Sequence, residues 1–321
     1  MGKKTKLFYA TDVHGSEVTF KKFINAGKIY KIDVLILGGD ITGKMIVPFV
    51  KQSDGSHKAE LYGNILSGKT EEELQKVERR IHDAGYYPYR TTEKELKGLN
   101  EDKKRFNDLF NRLVLETLEG WVKLAEERLS GTGIKLYVTG GNDDIPEVSD
   151  VLSSSSADHI INPEEKVVYI DDIHEMVSTG YCNMTPWNCP RDVTDEELGN
   201  IIEKMMGDVK DFKNAIFNFH APPYGTSLDV APELDETLTP KLELGGGYKM
   251  ISVGSQAVRD AILEYQPLLA LHGHIHESRG KIKLGNTLCV NPGSEYGEGV
   301  LWGAHVVISD KKIEDVLFVS G

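Results

Sequence analysis

Apolar residues in this chain come in short runs, not in long stretches. Residues 6–10, 34–37, 134–138, 215–219 and 267–271 are each four or five residues of mostly Leu, Ile, Val, Phe, Tyr and Ala. Runs that short, closed by glycine-containing loops, read as strands buried on both faces. Between them the period changes. Phe20, Phe23 and Ile24 follow Ser16, a candidate N-cap, at helical spacing. Thr194 and Glu197 form a capping-box pair that opens a helix over 194–206, and residues 253–265 read as a further helix. Strand, helix, strand over the first forty residues is a βαβ unit, which implies a parallel sheet.

Two regions depart from this rhythm. Residues from about 44 to 131 read as a mostly helical insertion, and the rest of 1–321 as one domain. Within the insertion, 70–82 and 102–129 are rich in Glu, Lys, Arg and Leu. Phe106, Phe110, Leu113, Trp121 and Leu124 approximate one apolar helical face. The cluster Tyr86–Arg90 between these helices is compatible with stacking on a base or sugar, with a homodimer contact, or with loop packing. After residue 280, Gly285-Asn286 and Ser309-Asp310 each join two strand-like runs, as hairpin turns do.

Composition narrows the class. The 321 residues carry a net charge of −13, with 40% hydrophobic and 27% charged residues. That balance suits a soluble globular protein and disfavours non-specific binding to nucleic acid or anionic lipid. Three cysteines in no paired spacing argue against a zinc ribbon or a disulfide framework and for a reducing compartment. The basic start Met1–Lys6 does not read as a signal peptide, and Gly2 lacks the Ser or Thr that myristoylation requires where Lys6 stands. With no apolar run of membrane-spanning length, the expected location is the cytoplasm.

The chemistry sits at the ends of the strand-like runs. Five of them lead into loops bearing metal-competent side chains: Asp12 and His14; Asp40; Asn142; His220; His274 and His276. Ligands in open α/β sheets bind beyond the carboxyl ends of strands. Three oxygen donors and four imidazoles exceed one tetrahedral zinc site and suit two adjacent divalent ions.

The ordered set Asp12-Val13-His14, Gly39-Asp40, Gly141-Asn142-Asp143-Asp144, His220 and Gly273-His274-Ile275-His276 resembles the calcineurin-like metallophosphoesterases, including their phosphodiesterase members. That resemblance implies an α/β fold, an αββα sandwich of two mixed sheets flanked by helices. It also implies ligand roles, with Asp12, His14 and His276 on a first metal, Asn142, His220 and His274 on a second, and Asp40 bridging. The nucleophile implied is a hydroxide between two divalent ions, manganese first, with iron, zinc or nickel as alternatives. His272 falls outside this ligand set, and a supporting or core role is expected for it.

The pattern departs at Asp143, which stands where the family carries its catalytic histidine. Three readings follow. Asp143 turns away or binds a neighbouring cation, burial keeps it protonated as an acid, or catalysis is lost and the metals remain. The first is preferred, because a complete ligand set still generates the nucleophile. The expectation is a phosphodiesterase on small or nucleotide-type substrates, with a weakly active metal-binding scaffold or a DNA nuclease as alternatives. Tyr224 and Thr226, after His220, and Asn291 are candidate substrate contacts.

Overall fold

A computed structural model describes residues 4–155, 157–243 and 245–321; Gly2 and its lipidation reading lie outside them. Two six-stranded mixed sheets form the body. In the first the order is Lys312–Ser320, Trp302–Ser309, Thr5–Ala10, Val34–Gly38, Lys135–Thr139 and Ile160–Ile161. The last four are mutually parallel, and the C-terminal hairpin pairs antiparallel with Thr5–Ala10. In the second sheet the order is Gly280–Leu284, Thr287–Asn291, Leu269–Leu271, Ala215–Phe219, Glu175–Thr179 and Val167–Tyr169. Its four inner strands are parallel.

The short apolar runs are buried on both faces because each face has its own partner layer. Leu7, Tyr9, Val34, Ile36 and Tyr137 meet Met176, Ile216, Leu269, Leu271 and Val290 between the sheets. The alternate residues Phe8, Ala10, Leu35, Leu37, Leu136 and Val138 point outward, under the helices Glu17–Ile29 and Lys103–Leu129. On the far side Val177, Phe217, Phe219 and Ala270 pack with Leu198, Ile202, Val258 and Ile262 of the helices Asp195–Met206 and Gln256–Tyr265. Period-two alternation therefore builds four layers, helix–sheet–sheet–helix. Ser16 and Thr194 cap their helices, and Glu197 completes the capping box.

The segment between the second and third parallel strands holds more than helices. Ile46–Lys51, His57–Leu61, Asn64–Gly68 and Tyr87–Thr91 form a four-stranded sheet, covered by the helix Glu71–Asp83. The sequence pattern missed it because the central hairpin strands alternate buried and exposed positions over only five residues each. The Tyr86–Arg90 cluster lies largely within this sheet. Tyr87 is buried and its hydroxyl accepts from the Gly43 amide at 2.7 Å. Arg90 is forked between Glu71 and Glu78.

The long helix buries Trp121 and packs Phe110, Leu113 and Leu124 partly against the core, as expected, but its most buried stripe is rotated from the expected face. Leu109, Val114, Leu118, Trp121, Ala125 and Leu129 face inward, whereas Phe106 is 38% exposed. Steps of three and four residues hold from 114 to 129, and Phe106 sits on the first turn, off that stripe. Trp121 stacks flat on Phe20, with ring centroids 4.2 Å apart. Among the described residues no helix is long and apolar enough to cross a membrane.

Trp121→Ala should therefore loosen this layer without touching the strand ends that carry the metal-competent residues. The expected cost is about 3–5 kcal/mol, read as a lower urea midpoint; an unchanged midpoint would contradict the packing described.

Candidate metal centre

Parallel strands place their carboxyl ends on one edge of each sheet, and the two sheets bring those edges together. Asp12 and His14 follow Thr5–Ala10, Asp40 follows Val34–Gly38, and Asn142 follows Lys135–Thr139. His220 follows Ala215–Phe219, and His274 and His276 follow Leu269–Leu271. The first two loops are zipped together by backbone bonds, Asp12 N–H to Gly39 O at 2.9 Å and His14 N–H to Asp40 O at 3.0 Å. Gly273 N–H donates to His220 O at 3.0 Å, which joins the two loops of the second sheet.

The donor atoms converge. Those of Asp12, His14 and His276 lie within 4.8 Å of one another, as do those of Asp12, Asp40 and His220, and of His14, Asp40 and Asp143. His14 Nε2 and His276 Nε2 are 3.1 Å apart, and His276 Nε2 is 3.2 Å from Asp12 Oδ1. His220 Nε2 stands 3.4 Å from Asp40 Oδ1 and 3.7 Å from Asp12 Oδ1. Thus His274 and His276 diverge from their turn, His276 toward His14 and His274 toward His220, with ring centroids 5.1 Å and 5.5 Å apart respectively.

This crowding explains the motif glycines. A Cβ on Gly141 would fall 2.1 Å from Asp40 Oδ1, and one on Gly273 would fall 2.5 Å from Asp12 Oδ2. The donors themselves sit on left-handed backbone, with φ of 54° at Asp12, 39° at His14, 47° at Asp40 and 66° at His274. Such conformations cost on the order of 1–3 kcal/mol each and persist only where surrounding structure fixes them.

Supporting bonds aim each donor. His220 Nδ1 lies 3.0 Å from Gly38 O, so the ring donates there and turns Nε2 inward, toward Asp40 Oδ1. Asn142 Nδ2 donates to Asp192 Oδ1 at 2.8 Å, leaving Oδ1 free of that bond. Both Asn142 Oδ1 and His220 Nε2 are buried without a hydrogen-bond partner. An unpartnered amide oxygen and an imidazole nitrogen beside buried carboxylates fit a cation, which would take the amide lone pair and displace the ring proton. The donor set, carboxylate and amide oxygens with imidazoles, suits divalent ions with mixed oxygen and nitrogen ligands.

Electrostatics agree with that fit. Burial alone would raise the Asp12 and Asp40 carboxyls, but the surrounding imidazoles, His220 foremost, together outweigh burial and hold both low. Burial keeps His14 and His274 neutral, His274 at about 4. His220 is pulled the other way; burial opposes its proton, but Asp40 and Asp12 prevail and hold it at about 9.

The remaining expected residues fall in distinct places. Asp143 is 27% exposed, and its carboxylate meets Lys44 Nζ at 3.0 Å, while its amide donates to Asp40 Oδ1 at 3.0 Å. His272 is buried with Nδ1 2.9 Å and 3.0 Å from the carbonyls of Phe219 and Ala221, which flank His220. Asn291 is occupied by the fold, its Nδ2 donating to Ile275 O at 3.0 Å and its Oδ1 accepting from Gly293 at 2.8 Å. It shapes the histidine turn. Thr226 Oγ1 donates within its own loop, to Pro223 O at 2.9 Å. Tyr224 is 45% exposed on that loop, whose Tyr224 carbonyl accepts from Arg259.

Sequence reasoning passed over four contributors. Asp144 is buried and accepts from the amides of Ile41, Thr42 and Gly141 at 2.7–3.0 Å, tying the Asp40 and Asn142 loops together. Its place in Gly141-Asn142-Asp143-Asp144 was the available signal. Lys44, Tyr296 and Cys182 carry no local signature. Tyr296 packs its ring 4.7 Å from that of His14. Cys182 joins His220 and His274 within 4.8 Å.

The stacked mixed sheets, with these donors at their carboxyl edges, make this a four-layer α/β sandwich with a metal-competent edge. No family model matches the chain. A Methanocaldococcus jannaschii protein described as uncharacterized, MJ1162, is 38% identical over 154 residues, covering 47% of this chain and 61% of its own. That match spans less than two thirds of the relative. One solved structure superimposes with a TM-score of 0.58 at 17% identity over 99% of both chains. The protein TT1561 of Thermus thermophilus does so at 0.53 and 13%, again over 99% of each. An archaeal phosphodiesterase aligns at 12% identity with a TM-score of only 0.34, over 99% of this chain and 100% of its own, too loosely to bear on activity.

Protons compete with a cation for His220, because only the neutral ring can donate its lone pair. Metal affinity should therefore climb as pH rises toward about 9 and level off above it. Calorimetric titration across that range checks this; a flat affinity would contradict it.

Proposed function

We propose that the protein is a dinuclear-metal-dependent phosphoester hydrolase, acting on phosphodiesters of small or nucleotide-type substrates. The observation that carries this reading is the convergence of Asp12, His14, Asp40, Asn142, His220, His274 and His276 on one edge of the sandwich, with Asn142 Oδ1 and His220 Nε2 left without protein partners. Two divalent ions held there would supply Lewis-acid charge and lower the pKa of bound water. Asp12, His14 and His276 would hold one, Asn142, His220 and His274 the other, with Asp40 shared. Manganese is the first candidate, with iron, zinc or nickel as alternatives.

The chain's own residues would do the rest. Lys44 occupies the rim where the family pattern expects an imidazolium. Burial works against its charge, but Asp143 and Asp40 more than compensate and hold its ammonium well above the usual lysine range. Lys44 is therefore a fixed positive charge, suited to bind a phosphate oxygen and unsuited to deliver a proton. Asp143 would position Lys44 through the 3.0 Å pair and is neutralised by it. A site with a clamp and no proton donor favours esters whose leaving group needs no protonation. Tyr62 and Tyr86, with ring centroids 5.9 Å apart, and Tyr296 beside His14 offer aromatic surface on the insertion side. Such surface suits an aryl or base substituent.

The net charge of −13 supports a small phosphorylated partner over a nucleic acid. A cytoplasmic location fits the unpaired cysteines.

Manganese-loaded protein should hydrolyse p-nitrophenyl phosphodiesters faster than alkyl phosphomonoesters; equal rates would sink the diester assignment. Lys44→Ala should lower kcat/KM by about 10- to 100-fold, or about 1.4–2.7 kcal/mol, with metal content unchanged and partial rescue by Lys44→Arg. Unchanged kcat/KM would remove Lys44 from the site.

A further inference from the structure

The parallel strand Glu175–Thr179 lies beside Ala215–Phe219 in the second sheet. Its carboxyl end opens on the same edge as the metal-competent loops. Three residues beyond it stands Cys182, fully buried. The thiol belongs to the group with His220 and His274, all three donor atoms lying within 4.8 Å of one another. Cys182 is one of the few groups at this edge that the ligand set above leaves unused.

Its backbone is held by the local fold. Cys182–Asn183 pairs in parallel with Asp192–Val193, and Asp192 is the residue that orients Asn142. One two-stranded ladder therefore fixes both the thiol and the carboxylate that holds the Asn142 amide. Two neighbours point independently to a missing ligand there: His220 Nε2 and Asn142 Oδ1 are both buried without a hydrogen-bond partner. The other cysteines are placed differently. Cys189 accepts from Thr185 Oγ1 at 3.8 Å, and Cys289 lies in the strand Thr287–Asn291 within the apolar layer.

We propose that Cys182 is a donor to the second metal, completing with Asn142, His220 and His274 a sulfur-containing site unlike the oxygen- and imidazole-only set around His14 and His276. This rests on the two-metal reading above. When the metal–sulfur bond forms, the thiol proton is released to solvent. A thiolate is a soft ligand, so the second position would prefer zinc, ferrous iron or cobalt, and the first would remain open to manganese or magnesium. The two positions would then carry different metals.

Cobalt(II) substitution separates the two levels of this reading. Titrated with cobalt, the full-length protein should develop visible d–d bands from its nitrogen and oxygen ligands, and a near-ultraviolet sulfur-to-cobalt charge-transfer band from Cys182. The isosteric Cys182→Ser should keep the d–d bands and lose the charge-transfer band, whereas Cys189→Ser should keep both. Zinc affinity at the second position should fall by about 10-fold or more in Cys182→Ser, since loss of even an outer-sphere support costs 10- to 100-fold. A charge-transfer band absent from the wild type, or persisting in Cys182→Ser, would overturn the proposal and leave the two-metal centre standing. Absence of any d–d absorption would overturn both.

Discussion

Two carboxylates buried side by side set the terms for this molecule. Asp12 and Asp40 end neighbouring parallel strands, both lie under 5% exposed, and a single group brings their oxygens within 4.8 Å of His220. Buried like charges are costly unless positive charge is supplied. In the metal-free chain His220 and His276 answer it, the Asp12 and Asp40 charges drawing each ring upward against burial. That arrangement is a balance awaiting replacement, because the same rings are the donors a divalent cation would use. Lys44 adds charge from beside the pair, and Asp143 already engages it.

The fold serves this constraint at some local expense. Donors from both sheets can meet only if the loops approach more closely than side chains normally allow, so Gly141 and Gly273 stand where a Cβ would strike Asp40 and Asp12. Four donors take left-handed backbone for the same reason. The strands behind them, apolar on both faces and held between two layers of helices, fix the edge that these turns decorate. Asp144 extends that rigidity by binding the Asp40 and Asn142 loops through buried amides.

Much of this was legible in the sequence, and for a physical reason. Strands buried on both faces must be continuous apolar runs, and the ligands of a parallel sheet must follow them directly. Asp12, Asp40, Asn142, His220 and His274 are therefore readable as one set from their positions along the chain. The four-stranded sheet of the insertion is not, since five-residue strands such as His57–Leu61 carry too little pattern. Contacts between distant loops are equally hidden. Nothing local to Lys44 or Cys182 announces a partner 99 residues away at Asp143 or 38 residues away at His220; only tertiary packing creates those neighbours. Asn291 and Thr226, read from the sequence as candidate substrate contacts, make bonds within their own turns. A polar residue beside a motif is often spent on the turn itself, as the bonds to Ile275 and Pro223 show.

Asp143 is thus less a missing histidine than half of a rim ion pair, and the histidine turn at Gly273 divides its two rings between opposite sides of Asp12. The central claim, that this edge holds two cations sharing Asp40, is open to direct test. Crystals of the metal-loaded protein, measured at the absorption edge of the bound metal, should give two anomalous peaks. One should lie among Asp12, His14 and His276, the other among Asn142, His220 and His274, with Asp40 between them. A single peak, or none at these residues, would contradict the account.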